Sequence, residues 1–331
     1  MLKRMVRSVA FLLVVALFAG CGNTVAEDTS PASGQEAAYV EEVTLEEVDI
    51  VDEAVALAES PAPQLQILEA KASGTAVKKC GTAVIDYSNV SDGYVMVQYT
   101  ADTTARLKAQ VKGPNTTYTY NLTPKTWAVF PLSEGNGSYT VSVYSNVSGT
   151  KYASVLSVTV TAALKDEYSP FLYPNQYVDY GSAPNTVAKA QELTQGREKT
   201  LDKVAAVYDY VVETLVYDKE KAASVQSGYL PVLDTVLSEK KGICFDYAAL
   251  MTGMLRSQSI PCKLVVGYAG TAYHAWISVW SEETGWVDGA IYFDGATWQR
   301  MDPTFASSGS RSSSIMAYIG DGKNYTAKYL Y

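Results

Sequence analysis

Three residues that could do nucleophilic chemistry together stand in the C-terminal half: a cysteine in KKGICFDYAALMTGMLRSQ, a histidine in TAYHAWISVW and an aspartate in WQRMDPTF. Gly242 and the onset of apolar residues three and four apart place Cys244 in the first turn of a helix. Unpaired backbone N–H groups and the positive end of the helix dipole there favour an anion, hence the thiolate, which is the nucleophile of cysteine chemistry. The same position also suits a small buried cysteine at the start of a core helix. His274 is the one histidine among 331 residues. Between apolar strand neighbours it reads, by itself, as a hydrogen-bonded core residue. A base for a thiol needs a third polar group to orient its ring, and Asp302, at a strand end before Pro303, supplies one.

The elements that must hold these residues are legible from periodicity. Leu201, Val204, Ala205, Tyr208, Val211, Val212 and Leu215 fall on one helical face, and a shorter helix is expected over Pro231 to Glu239. Tyr247, Leu250, Met251, Met254 and Leu255 make a second stripe, directly behind Cys244. After Pro261 the period changes to two, so CKLVVGYAG, AYHAWISVW, GWVDGAIYF and TWQRM read as successive strands of an antiparallel sheet. Helices first and sheet second is an α+β arrangement.

Upstream, residues 78 to 163 hold seven short stretches of β-branched and aromatic residues, from TAVIDYS to SVLSVTVTA, separated by Gly, Asn, Asp and Pro turns. Such spacing predicts an immunoglobulin-like or fibronectin-type β-sandwich of about 85 residues. Nothing in it carries chemistry, so spacing, substrate docking and partner contact all remain open as its role. The 25 tyrosines of the chain fit secreted β structure, where the ring packs and the hydroxyl stays wet.

The N-terminus MLKRMVRSVAFLLVVALFAGC has a basic start, an apolar run and small residues before Cys21, the layout of a secretory signal peptide. Its ending FAGC resembles the bacterial lipobox, which implies acylation of Cys21 and a lipid anchor on the outer face of a bacterial membrane. Residues 22 to 70 carry twelve carboxylates and no Lys or Arg, while 71 to 331 carry 23 of each sign. The net charge of -9 therefore belongs to a tether, and no basic surplus is left for nucleic acid. The expected organisation is a lipoprotein signal peptide over 1–21, an acidic linker over 22–75, a β-sandwich over 76–164 and a catalytic domain over 165–331. A single histidine and the lack of a close cysteine pair give zinc no basis, and no phosphate loop or G-x-S-x-G elbow occurs, so no cofactor is expected. Oligomeric state is not written in the sequence.

GICFDYAALMTGMLRSQSIPCKLVVGY, YHAWISVW and WQRMDPTF together resemble the core of the transglutaminase-like superfamily, over roughly residues 200 to 306. The resemblance implies a papain-like fold with Cys244 as nucleophile, His274 as base and proton donor, and Asp302 orienting the imidazole. Asp302 lies 28 residues after His274, beyond an extra hairpin, which leaves Asp288 and Asp294 as rival third members. Cys262 reads as a core residue or as a partner for Cys80. The implied reaction is attack of Cys244 on a carboxamide to give a thioester, with the Cys244 N–H as one oxyanion donor and Tyr217 or Tyr229 approaching as support. Water as acceptor would make a peptidase or amidase of protein or cell-wall peptides, the favoured reading. An amine acceptor would make a cross-linking transglutaminase. A non-catalytic surface scaffold is the third reading.

Overall fold

Alternation of buried and exposed side chains organises the first half of the computed structural model, which describes residues 67–282, 285–287, 292–293, 298–299 and 325–331. All seven expected stretches form strands: β2 (Ala83–Asp86), β3 (Tyr94–Tyr99), β4 (Leu107–Lys112), β5 (Thr117–Leu122), β6 (Ala128–Pro131), β7 (Gly137–Ser148) and β8 (Lys151–Ala162). A short β1 (Val77–Lys79) precedes them. They make two antiparallel four-stranded sheets, ordered β1-β2-β3-β6 and β5-β4-β7-β8. Ile85, Val97, Val111, Phe130, Val141 and Val143, all fully buried, fill the space between them. At the start of β7 the buried Tyr139 hydroxyl accepts the Glu134 N–H at 3.0 Å and donates to the Gly135 carbonyl at 2.8 Å, so the side chain fixes the turn that feeds its own strand.

The second half is built around one helix. In order come α1 (Pro184–Thr194), α2 (Thr200–Thr214), β9 (Val216–Tyr217), α3 (Lys219–Ser224), α4 (Leu233–Glu239), β10 (Lys241–Gly242) and α5 (Cys244–Ser257). Every residue of α5 from Asp246 to Ser257 is buried, because α1, α2 and α4 pack on it from one side and a sheet from the other. That sheet has the order β13-β12-β11-β16, with β11 (Cys262–Ala269), β12 (Ala272–Ser281), β13 (Gly285–Val287) and β16 (Tyr325–Leu330). The expected helical stripes are the buried faces: Leu201, Val204, Tyr208, Val211 and Val212 in α2, and Tyr247, Leu250, Met251, Met254 and Leu255 in α5.

Two expectations change. Within TWQRM, the described pair β15 (Trp298–Gln299) joins β14 (Tyr292–Phe293) in a separate two-stranded ladder instead of this sheet. The strand beside β11 comes instead from β16, near the end of the sequence. Its close approach needs a glycine, since a Cβ on Gly267 would lie 2.0 Å from the Thr326 carbonyl oxygen. Likewise Cys80 and Cys262 are not a pair: both are free, the first exposed and the second fully buried. Cys262 is a core residue, its thiol pushed up to about 11 by burial.

The far end of α5 is held by a buried cation. Arg256, 1% exposed, donates to the carbonyls of Cys262 at 2.9 Å and Tyr173 at 2.9 Å, and to the main-chain oxygen of Tyr331 at 2.7 Å. Burial pulls its pKa down to about 10, which leaves it charged at neutral pH. A cation near a helix C-terminus also meets the favourable end of the dipole. Among the described residues no helix is long and apolar enough to cross a membrane.

Candidate active site

The chain enters α5 from β10, which pairs in parallel with β9 through Lys241–Val216 and Gly242–Tyr217. Ile243 is extended (φ −93°, ψ 175°), and Cys244 is the first helical residue, as its spacing predicted. The first-turn N–H groups of a helix have no intrahelical acceptor. One answer here is Asp246, whose carboxylate reaches back to accept the Ile243 N–H at 2.8 Å, the acidic half of a capping box. Ile243 has no polar side chain to return the favour. The turn of the backbone needs Gly242, since a Cβ there would sit 2.6 Å from the Asp246 Cβ.

Asp246 is fully buried, and three donors satisfy it. Besides Ile243, Lys221 Nζ lies 2.7 Å from its Oδ2 and the Tyr229 hydroxyl donates to its Oδ1 at 2.6 Å. Lys221 also donates to the Tyr229 oxygen at 2.5 Å, which closes a triangle of polar groups under the start of α5. The short α3 exists to deliver Lys221. Asp218 caps it by accepting the Lys221 N–H at 2.9 Å, while the Asp218 N–H donates to the Gly242 carbonyl at 2.8 Å. Burial opposes the charge on Lys221, but its bonds to Asp246 and Tyr229 outweigh that and hold its pKa above the ordinary lysine value. Burial, reinforced by Asp246, pushes Tyr229 up to about 12.

Above this base opens a cleft of about 460 Å³. Cys244 and His274 both line it, the thiol half-buried and the imidazole 7% exposed. His274 lies on β12 opposite Gly267, with its ring stacked toward Trp276 two residues along the same face. The elements thus bring together the nucleophile and the base that the sequence nominated. Asp302, its rivals Asp288 and Asp294, and Cys21 lie outside the described residues.

The two tyrosines nominated as oxyanion support divide. Tyr217 lines the cleft from β9. Tyr229 also lines it, but its single O–H is given to Asp246, so in this state it braces the helix start rather than offering a proton to an oxyanion. Asp246 and Lys221 were not nominated from sequence. The acid at the third helical position was the available signal, since that is where a capping box places it. The rest of the cleft wall is aromatic: Phe245, Tyr177, Tyr273 and Tyr331. Burial pushes Tyr177 up to about 12, partly offset by its hydrogen bond with the Tyr331 hydroxyl.

Residues 187–303 match the family model described as the Transglutaminase-like superfamily. The chain is 27% identical over 206 residues to the uncharacterized protein YebA of Bacillus subtilis, a match covering 54% of this chain and 27% of that one. It is 29% identical over 119 residues to a protein-glutamine gamma-glutamyltransferase of Pseudomonas aeruginosa, covering 31% of this chain and 17% of the relative. The matches thus span less than a third of either curated relative's length. Among solved structures, a provisionally named cysteine protease of Cytophaga hutchinsonii aligns with a TM-score of 0.33 at 16% identity, over 64% of this chain and 71% of that one. The matched region begins at 187, inside α1, earlier than the 200 expected from motifs alone. The segment that carries Cys244, His274 and Asp302 is thus the part of the chain that matches the Transglutaminase-like superfamily.

Proposed function

We propose that the protein is a thiol enzyme that attacks carboxamide bonds of proteins or cell-wall peptides, with hydrolysis as the outcome. The observation that carries this reading is the meeting of Cys244, at a helix N-terminus, and His274, on the neighbouring strand, in one cleft. His274 takes the thiol proton as Cys244 adds to the carbonyl carbon, then returns it to the leaving amine as the C–N bond breaks. The acyl group stays on sulfur as a thioester. Water, deprotonated by His274, then releases the acid and regenerates the thiol. Asp302 orients the imidazole in this scheme, and the Cys244 N–H faces the developing oxyanion. A primary amine in place of water would give a cross-link, the alternative that the Pseudomonas aeruginosa relative's name favours.

In the same reading the catalytic region is papain-like, and the preceding unit over 76–164 is an immunoglobulin- or fibronectin-like sandwich. Its sheet orders, with β2-β3-β6 facing β5-β4-β7-β8, support this, as does the Tyr139 hydroxyl bonded back to its own turn, the arrangement of a tyrosine corner. An acidic tether to a lipid on Cys21 would place the enzyme on the outer face of a bacterial membrane.

The test is mass spectrometry of surface-protein and cell-wall peptide fragments after incubation with the wild type and with Cys244→Ala. New carboxyl termini with wild type only are expected. Amine-linked products without hydrolysis would replace the hydrolytic reading, and identical fragment patterns for both proteins would sink the thiol mechanism.

A further inference from the structure

The expected β-sandwich had no chemistry of its own, yet its strand β5 packs directly behind residues that line the cleft. Its inner-face tyrosines, Tyr118 and Tyr120, are 2% and 1% exposed. Tyr120 packs its ring on Phe130 of the opposing sheet at 4.4 Å, and equally faces Tyr177 at 5.8 Å and Tyr331 at 5.9 Å. Tyr118 meets Tyr331 at 5.7 Å, edge to face. Tyr331 and Tyr177, whose centroids are 4.5 Å apart, are themselves cleft residues, and Tyr177 touches Phe245, the neighbour of Cys244, at 5.6 Å. A second contact lies on the cleft loop. A Cβ on Gly228 would come within 2.8 Å of the Asn121 amide nitrogen, so the end of β5 sits directly against that loop.

We infer that β5 is the back wall of the substrate cleft: Tyr118 and Tyr120 are positioning residues that fix Tyr331 and Tyr177 where a substrate lies. The inference rests on the reading of this cleft as the amide-binding site. It makes the β unit a working part of that site, not a spacer. At Tyr120 the ring carries the effect. The Tyr120 hydroxyl is buried with no hydrogen-bond partner among the described residues, so only its aromatic surface contributes. A group displaced by about 1 Å far from the chemistry costs up to ~10²-fold in rate.

Two alkylating probes applied to the full chain test this, in a Cys80→Ser background, with Cys244 modification read by peptide mapping. Iodoacetamide reports thiol reactivity alone, while a benzyloxycarbonyl-dipeptide chloromethyl ketone must also occupy the cleft. Tyr118→Ala and Tyr120→Ala should slow the peptide probe about ten-fold relative to iodoacetamide. Tyr120→Phe should restore the wild-type ratio, and Tyr144→Ala, in β7 away from the cleft, should not alter it. If an alanine variant does not fold, leucine at the same position carries the same expectation. An unchanged ratio in the alanine or leucine variants, or an equal slowing of both probes, overturns the inference. Failure of both probes at wild-type Cys244 would instead overturn the thiol-enzyme reading.

Discussion

The two ends of α5 hold the same kinds of residue and use them differently. Each has a cysteine, Cys244 as the first helical residue and Cys262 just beyond the last turn, and each has a buried charge, Asp246 and Arg256. Both charges obey the helix dipole, acid at the start and base at the end. At the start, however, the acid's partners are side chains, Lys221 of α3 and Tyr229 of the loop that follows it and lines a cleft. At the end the base bonds only main-chain oxygens, inside the core. A charge tied to side chains of a cleft can be felt by the chemistry there. One tied to three carbonyls welds elements together. The comparison therefore separates an end that opens on a cleft, the one proposed to react, from an end buried in the core.

The thiols should divide most sharply. Cys244→Ser should cut amide turnover by about 10³-fold or more, while Cys262→Ala leaves kcat/KM within twofold. Native alkylation at pH 8 should modify Cys244 and spare Cys262, whose thiol is buried and pushed up to about 11. Rapid labelling of Cys262 in folded protein would erase the distinction.

The charges come next. Arg256→Met strands three buried acceptors and should cost about 3–5 kcal/mol in urea unfolding, with kcat/KM of the folded fraction unchanged. Asp246→Asn keeps the shape but loses the ion pair with Lys221. It should cost about 1–3 kcal/mol, yet lower kcat about ten-fold or more through the displaced helix start. Equal stability losses with equal kinetic losses at the two sites would break the comparison.

The smallest effect is in alkali. Lys221 has its folded pKa raised, so its stabilisation is fully present below the free-lysine value of 10.5 and is lost as pH climbs through the folded value. Lys221→Met should melt lower than wild type at pH 8, with the gap narrowing above pH 10.5. With one imidazole in the chain, His274→Gln should remove most of the rate at every pH.

Periodicity made the reactive end legible and left the structural end hidden. The stripe from Tyr247 to Leu255 located α5, and alternation located β11, β12 and the seven strands upstream. Cys244 and His274 were then found from their places on those elements. What escaped lacks a local apolar pattern. Helix α1 buries Thr186, Ala190 and Thr194, a stripe of small and polar residues, and α3 buries nothing. Strand β16 contains no buried residue and owes its place to pairing with β11, some sixty positions earlier in the chain, which no window of sequence contains. Asp246 and Arg256 escaped because hydropathy assigns charges to the surface. Only their partners, donors around Asp246 and acceptors around Arg256, reveal that they are inside.

The weld at Arg256 also sets a timetable. Its partner at Tyr331 lies 75 residues downstream, and Tyr331 exchanges main-chain hydrogen bonds with Leu264 at 2.9 Å in both directions. Contacts of such long range form late, because the intervening chain must be ordered before they are rewarded. On the ribosome, α5 would emerge with its cation still without one acceptor and its sheet still open along β11. The thiol would be made early but housed last, since Tyr331, part of its cleft wall, is synthesised only after β16.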